Sequence, residues 1–310
     1  MKTIIKGGTL VYGSGIKQED MLIFNGRIQA IKEKIHPTGD EQIIDGTSYY
    51  VLPGFIASVD PTVEFAYQHG VTTFIRSKEG IEGEEGYQAL PDVYDYVYSV
   101  SIDELNKNIL QDLYLNQVKV VQLDSTLIRQ MDWELWQPRF ERFGIVIRAD
   151  EADYPVLKDR DIPLILPFSR GKRMSGTRTV LRVTHEQVSK WEKIAGKLDP
   201  FVLTGFWMDV IDYPIPRPAE DEVVPFLMRI AKTRSSIPAK VFGIFPRKGS
   251  LRIGADADFL LVSKEKLMDG NGNIFKPVQT WIRGVCRETN EDTNRNGRQL
   301  TCHRTYAFTY

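Results

Sequence analysis

Histidine and cysteine are scarce in this chain, with four His and two Cys among 310 residues. Four imidazoles are a thin supply for a metal centre built on histidine. Cys286 and Cys302 are too few for a disulfide framework. No apolar run is long enough to cross a bilayer, so no membrane span is expected. Charge of one sign is missing too: 40 basic against 41 acidic residues leave a net charge of −1, which gives no general attraction to nucleic acid. The start, Met1-Lys2-Thr3-Ile4 and then Gly7-Gly8, shows neither an apolar signal core nor a small-residue cleavage site. The expected location is cytoplasmic. The length suggests about two domains.

What is present begins with short strands. Thr3–Ile5, Thr9–Val11, Asp20–Ile23, Arg27–Ile31 and Gln42–Asp45 are punctuated by Gly7-Gly8, Gly13-Ser14-Gly15, Asn25-Gly26 and Pro37-Thr38-Gly39. Asn-Gly between apolar runs predicts a hairpin. The Gly13 region reads as a turn, since no helix and no Lys-Ser/Thr follows to make it a phosphate loop.

From residue 55 the pattern changes to apolar strands alternating with helical stretches. Strands are expected at 55–60, 71–77, 95–101, 118–124, 144–150, 162–169, 179–184 and 201–205, with helices over 102–116 and 131–143. Ser101-x-x-Glu104 and Thr184-x-x-Gln187 have capping-box spacing. Eight such units predict an α/β fold with a TIM-like (β/α)8 barrel. The barrel is trimmed: residues 55–205 give about 19 residues per unit, against about 31 in a typical barrel. A further helix is expected over 221–232, followed by strands at 258–262, 280–282 and 285–287. The polar stretch 288–298 reads as a loop.

Three segments together resemble the amidohydrolase superfamily, in its dihydroorotase, hydantoinase and allantoinase branch. The first runs from Asp20-Met21-Leu22-Ile23-Phe24-Asn25-Gly26 through Ile44-Asp45-Gly46 to Val51-Leu52-Pro53-Gly54-Phe55-Ile56. The second is Ala66–Phe74, with Gly70-Val71-Thr72-Thr73. The third is Pro238–Gly243, Lys248-Gly249-Ser250-Leu251 and Gly254-Ala255-Asp256-Ala257-Asp258. The resemblance implies a small composite β-sandwich domain built from both termini, residues 1–53 plus 238–310, beside the shortened barrel over 54–237. It also implies that Asp256-Ala257-Asp258 marks a turn and carries no catalysis.

The same resemblance implies metal ligands at the C-terminal ends of barrel strands: two His on strand 1, a carbamylated Lys or carboxylate on strand 4, single His on strands 5 and 6, and a proton-moving Asp on strand 8. These slots fall on Val59, Pro61, Arg148, Pro167 and Gly205, with Lys119 or Val121 in the strand-4 slot. The expected metal is therefore none, and no cofactor is implied. His36, His69 and His303 are badly placed to rebuild a site; His185 alone is expected to reach the mouth. Candidate ligand-binding residues at the mouth are Asp60, Arg76, Lys119, Asp124, Arg148, Asp150, Arg170 and His185, with Asp209 as a further scattered carboxylate. Arg148 is expected to fill the vacated volume, in a salt bridge with Asp60 or Asp150 or as an anion site. The acidic stretch 79–86 reads as a solvated loop or a lid.

The leading expectation is an amidohydrolase-like protein that is catalytically inactive and serves in binding, regulation or structure. A second is an active hydrolase of cyclic-amide C–N bonds with an atypical or metal-free site. A third is a small-anion sensor centred on Arg148. The expected partner is a small anionic ligand or another protein, in a homo-oligomer, with no nucleic acid and no membrane.

Overall fold

The computed structural model describes residues 2–58, 63–81, 94–168, 179–195, 205–210, 220–269 and 276–287. The N-terminal strands are β1 (Lys2–Tyr12), β2 (Gly15–Phe24), β3 (Arg27–Lys32), β4 (Glu41–Asp45) and β5 (Tyr49–Pro53). They share one mixed sheet with β14 (Phe259–Ser263), β15 (Gln279–Ile282) and β16 (Val285–Arg287). The order is β16-β15-β14-β5-β1-β2-β3, with β4 also on β1. Both ends of the chain thus build one sheet. Asn25 and Gly26 turn the β2–β3 hairpin with φ of 51° and 74°, the left-handed pair that matches strand twist.

Gly7-Gly8 does not break a strand, as its composition suggests, but bulges one. β1 runs through it, and its register against β2 shifts between Ile5 and Gly8. Gly7 takes φ +65° and donates its N–H to Asp20 Oδ1 at 2.7 Å. The bulge lets one edge of β1 serve two partners, β4 along Lys2–Lys6 and β5 at Thr9–Leu10.

The second sheet is wholly parallel: β6 (Phe55–Ser58), β7 (Val71–Glu79), β8 (Asp95–Ile102), β9 (Val120–Leu123), β10 (Val146–Arg148), β11 (Leu164–Pro167), β12 (Thr179–Val183) and β13 (Phe206–Met208), hydrogen-bonded in that order. It is a nearly closed barrel. One buried residue from each strand, Ile56 through Trp207, meets in a single lumen cluster with Val241, Phe242 and Ile244. Alternate residues face outward, where Val121, Ile147 and Leu164 pack on the helices. These are α1 (Lys107–Leu115), α2 (Ser125–Gln130), α3 (Trp133–Phe143) and α4 (Tyr154–Leu157). The trimming is visible between β6 and β7, where a 3₁₀ helix, Val63–His69, stands in for an α-helix.

Two details depart from the pattern in the sequence. Ser101 lies inside β8, and α1 is capped instead by Asn106, whose side chain accepts from the N–H groups of Asn108 and Ile109. The eighth strand is Phe206–Met208, so Gly205 precedes it; residues 201–204 lie outside the described residues. The Thr184–Gln187 capping box forms as expected.

Later helices are α5 (Val188–Ala195), α6 (Val223–Ala231) and α7 (Ile237–Val241), the last two joined by a π turn, Lys232–Ser236. Beyond α7 the chain crosses under the barrel floor. There Lys248, 1% exposed, sits among Asp95 (Oδ2 at 2.5 Å), Asp256 (Oδ2 at 3.2 Å) and Asp258. Burial opposes its charge, but the three carboxylates outweigh burial and hold its pKa above the usual lysine value. Asp256 and Asp258 are thus part of a buried ionic lock, which ties Asp95 at the start of β8 to the strands of the first sheet.

Candidate functional site

The barrel mouth is built by continuing the lumen alternation one step along each strand. Above Ile56, Val120, Val146, Ile165, Val180 and Trp207 come Ser58, Gln122, Arg148, Pro167, Arg182 and Asp209. Three of these lock together. Asp209 Oδ1 accepts the Ser58 N–H and Oδ2 accepts the Ser58 hydroxyl, each at 2.7 Å. Arg182 Nε and Nη2 both reach Asp209 Oδ2 at 2.6 Å. Its guanidinium lies 5.5 Å from the centre of the Trp207 ring.

This latch does a structural job as well. Among the described residues no ladder joins β13 to β6, and Ser58 and Asp209 are 151 residues apart. Side chains close the mouth end of the barrel where backbone pairing does not. The Asp209 side chain is 2% exposed and that of Arg182 is 21%, so the ion pair is shielded on one side and open to the mouth on the other.

The residues expected at the mouth divide sharply. Arg148 faces inward, two residues beyond the lumen residue Val146 on β10. Asp124 caps α2 through Thr126 N–H at 2.7 Å, a bond that holds its carboxyl below the usual range. Asp150 is exposed just past β10, and His185 is exposed in the turn after β12. Arg76 does not enter the mouth: it neighbours the inward Ile75, so it points outward, and stacks 4.9 Å from the Tyr96 ring centre. Lys119 is at the wrong end. It precedes β9 and donates to the Phe143 carbonyl at 2.9 Å, at the C-terminus of α3. Val121 faces the helices, so neither fills the strand-4 slot; Gln122 faces the mouth there. Val59, Asp60, Pro61, Arg170, Cys302 and His303 lie outside the described residues, as does most of the acidic stretch after Ile81.

Gly205 is also misplaced as the strand-8 slot, because it stands at the start of that strand and its carbonyl accepts Leu181 N–H at 2.7 Å. The residue at the C-terminal end of β13 is Asp209. A carboxylate therefore remains where the resemblance expects one. The other latch members, Ser58 and Arg182, were readable only through alternation, as Ile56-x-Ser58 and Val180-x-Arg182.

Beside the latch, the ends of β7, β8 and β9 enclose a cavity of 460 Å³ lined by Glu79, Ser101, Asp103, Gln122 and Asp124, with Ile102 and Leu123 behind. Among the described residues, the donor set above the lumen does not match a metal site built on histidine. In the tier above the lumen the carboxylate is Asp209, already bound by a guanidinium, and its neighbours are hydroxyls, an amide, a proline and a second arginine. Among the described residues no three His, Cys, Asp or Glu come together in a metal-holding group.

No protein-family profile matches the chain. Dihydropyrimidinase 2 of Caenorhabditis elegans is 38% identical over 61 residues, which is 20% of this chain and 11% of that protein. D-phenylhydantoinase of Escherichia coli is 28% identical over 142 residues, 36% of this chain and 30% of that protein. The chain thus matches less than a third of the length of these curated relatives. In structure, the dihydropyrimidinase from Brevibacillus agri superposes with a TM-score of 0.71 at 15% identity, covering 97% of this chain and 99% of the other. The nearly closed barrel, the two-ended sheet and this superposition together show that the chain shares the fold of that dihydropyrimidinase.

Proposed function

We propose that the protein does not hydrolyse cyclic amides and that its barrel mouth binds a small anion. The observation that carries this reading is the inward guanidinium of Arg182, latched to Asp209 and Ser58 at the mouth. A metal-hydrolase of this fold needs the strand-8 carboxylate free to move a proton. Here the nearest cation holds it at 2.6 Å, and Ser58 donates one hydrogen bond to each oxygen. Arg148 adds a second inward cation on β10. Two guanidinium groups repel a divalent metal and attract an oxyanion. Fold alone does not confer activity.

The test measures metal content and turnover together. Protein purified without chelator should contain well under one equivalent of divalent metal, and should leave hydantoin and dihydrouracil intact after incubation with zinc or manganese. One equivalent of bound metal with turnover of either substrate refutes the reading and restores hydrolysis by the retained Asp209. The anion-binding half is checked by thermal shift with acetate and phosphate on the native protein and on Arg148→Ala. A shift lost in the variant supports it.

A further inference from the structure

The barrel floor carries two cations that the fold leaves without an acidic partner. From them we infer that Lys240 is an acylation site, with acyl phosphates as the donor class and Arg252 holding the phosphate. The site is at the opposite end of the barrel from the mouth and does not depend on the anion-binding reading above.

Local folding brings the parts together. Gly243 takes φ +68° just past the end of α7 and turns the chain back, so that the Phe245 N–H donates to the Ala239 carbonyl at 3.0 Å. The half-buried Phe245 ring packs against the lumen cluster from below. Lys240 Nζ lies 5.3 Å from the centre of that ring, and the Arg252 guanidinium lies 5.4 Å from the same point. Neighbouring cations are matched: Arg247 and Arg27 reach Asp256, and Arg283 reaches Asp95. Lys240 and Arg252 pair with no carboxylate among the described residues.

Burial first, and then the charge of Arg252, hold the half-buried Lys240 ammonium below the usual lysine pKa. An amine that is desolvated and beside a second cation is an activated nucleophile. Lys17 is the contrast, since its ammonium is bonded to Glu19 at 2.6 Å and its pKa is raised. A neutral acyl donor gains nothing from Arg252, whereas the exposed guanidinium can take a phosphate in two parallel hydrogen bonds. The step balances. Lys240 loses one proton to water, and the neutral amine attacks the acyl carbon. The C–N bond forms, the C–O bond to phosphate breaks, and hydrogen phosphate leaves with the second amine proton. The product amide is neutral, so the repulsion between Lys240 and Arg252 disappears and the fold favours the modified state.

The full chain is treated with acetyl phosphate and, separately, with the neutral N-hydroxysuccinimide ester of acetic acid, and acetylation of each lysine is followed by peptide mass spectrometry. With acetyl phosphate, Lys240 is expected to react about tenfold faster than Lys17. Inorganic phosphate should slow Lys240 several-fold under acetyl phosphate, leave Lys17 unchanged, and have no effect on either lysine under the neutral ester. Arg252→Gln changes an exposed side chain and should bring Lys240 down to the rate of Lys17 with acetyl phosphate. Lys240 reacting no faster than Lys17 with both donors overturns the site. A fast Lys240 that neither inorganic phosphate nor Arg252→Gln slows overturns the acyl-phosphate assignment.

Discussion

Lys248→Met tests the deepest electrostatic commitment in the fold. The Lys248 side chain is 1% exposed, 2.5 Å from Asp95 and 3.2 Å from Asp256, and it also bonds Asp258. Three further cations touch the cluster: Arg247 at 3.2 Å and Arg27 at 4.0 Å from Asp256, and Arg283 at 3.3 Å from Asp95. Methionine keeps the volume and removes the charge, so three buried carboxylates would then face three guanidinium groups at the cluster's edge. Breaking a buried ion pair from one side costs about 3–5 kcal/mol. The three arginines put the loss near the lower figure, about 3 kcal/mol. With an unfolding entropy of about 2.1 cal/mol/K per residue over a chain of this length, that is a drop of about 5 °C in Tm.

The pH dependence gives the diagnostic. Burial drives the Asp258 pKa up, and Lys248 pulls it back down. In the variant that pull is gone, so the folded-state pKa climbs further above its unfolded value. A carboxylate raised in this way favours the native state at pH below its unfolded pKa. That advantage is lost as pH rises through the folded pKa. The deficit of Lys248→Met should therefore be largest at pH 7 and smaller at pH 5, and adding Asp258→Asn should recover about 1–2 kcal/mol at pH 7. Thermal and guanidinium melts at both pH values decide it. A loss under about 1 kcal/mol at pH 7, or a larger loss that neither acid nor Asp258→Asn relieves, would refute the ionic reasoning.

The mouth latch and the sheet supply the other predictions. Asp209→Asn should destabilise by about 2 kcal/mol and Ser58→Ala by about 1 kcal/mol, with the double variant losing less than the sum because the two share one network; strict additivity in denaturant melts would count against the latch. Gly54→Ala places a Cβ 2.3 Å from Oγ1 and 2.4 Å from Cγ2 of buried Thr72, so it should cost about 1–3 kcal/mol, and Thr72→Ala in the same chain should return part of it. The Thr38 hydroxyl, helped by the N–H groups of Thr38 and Gly39, holds the Glu41 pKa down to about 2 from 4.5. Because the folded value is the lower one, its contribution is present above the unfolded pKa and fades as pH falls toward 2. An NMR titration of the Glu41 carboxyl that turns over near its unperturbed value would remove this assignment.

How much of the mouth was legible depends on whether a local or a distant contact decides each residue. Seven barrel strands announce themselves, because parallel strands covered on both faces tend to be apolar runs such as Ile145–Ile147 and Ile162–Leu166. The eighth does not. Phe201-Val202-Leu203 and Phe206-Trp207-Met208 are equally apolar, and no periodicity over so few residues separates them. The partner decides: Leu181 pairs with Phe206, Arg182 with Trp207 and Val183 with Met208, contacts about 25 residues away in the chain. The consequence is chemical. Moving the strand end from Gly205 to Asp209 restores a carboxylate to the mouth, and Arg182 then faces a partner where it would otherwise be an unexplained cation in a barrel lumen. Lys119 shows the same dependence in reverse. Its residue type suits a ligand slot, but the register of β9 on β10, Val120 against Val146, puts it below the lumen layer, capping a helix. Side-chain chemistry was readable throughout; the end of the barrel on which it sits was settled by strand register. The chemistry of this mouth is therefore set by context as much as by identity, since its aspartate, Asp209, is held by an arginine from the neighbouring strand.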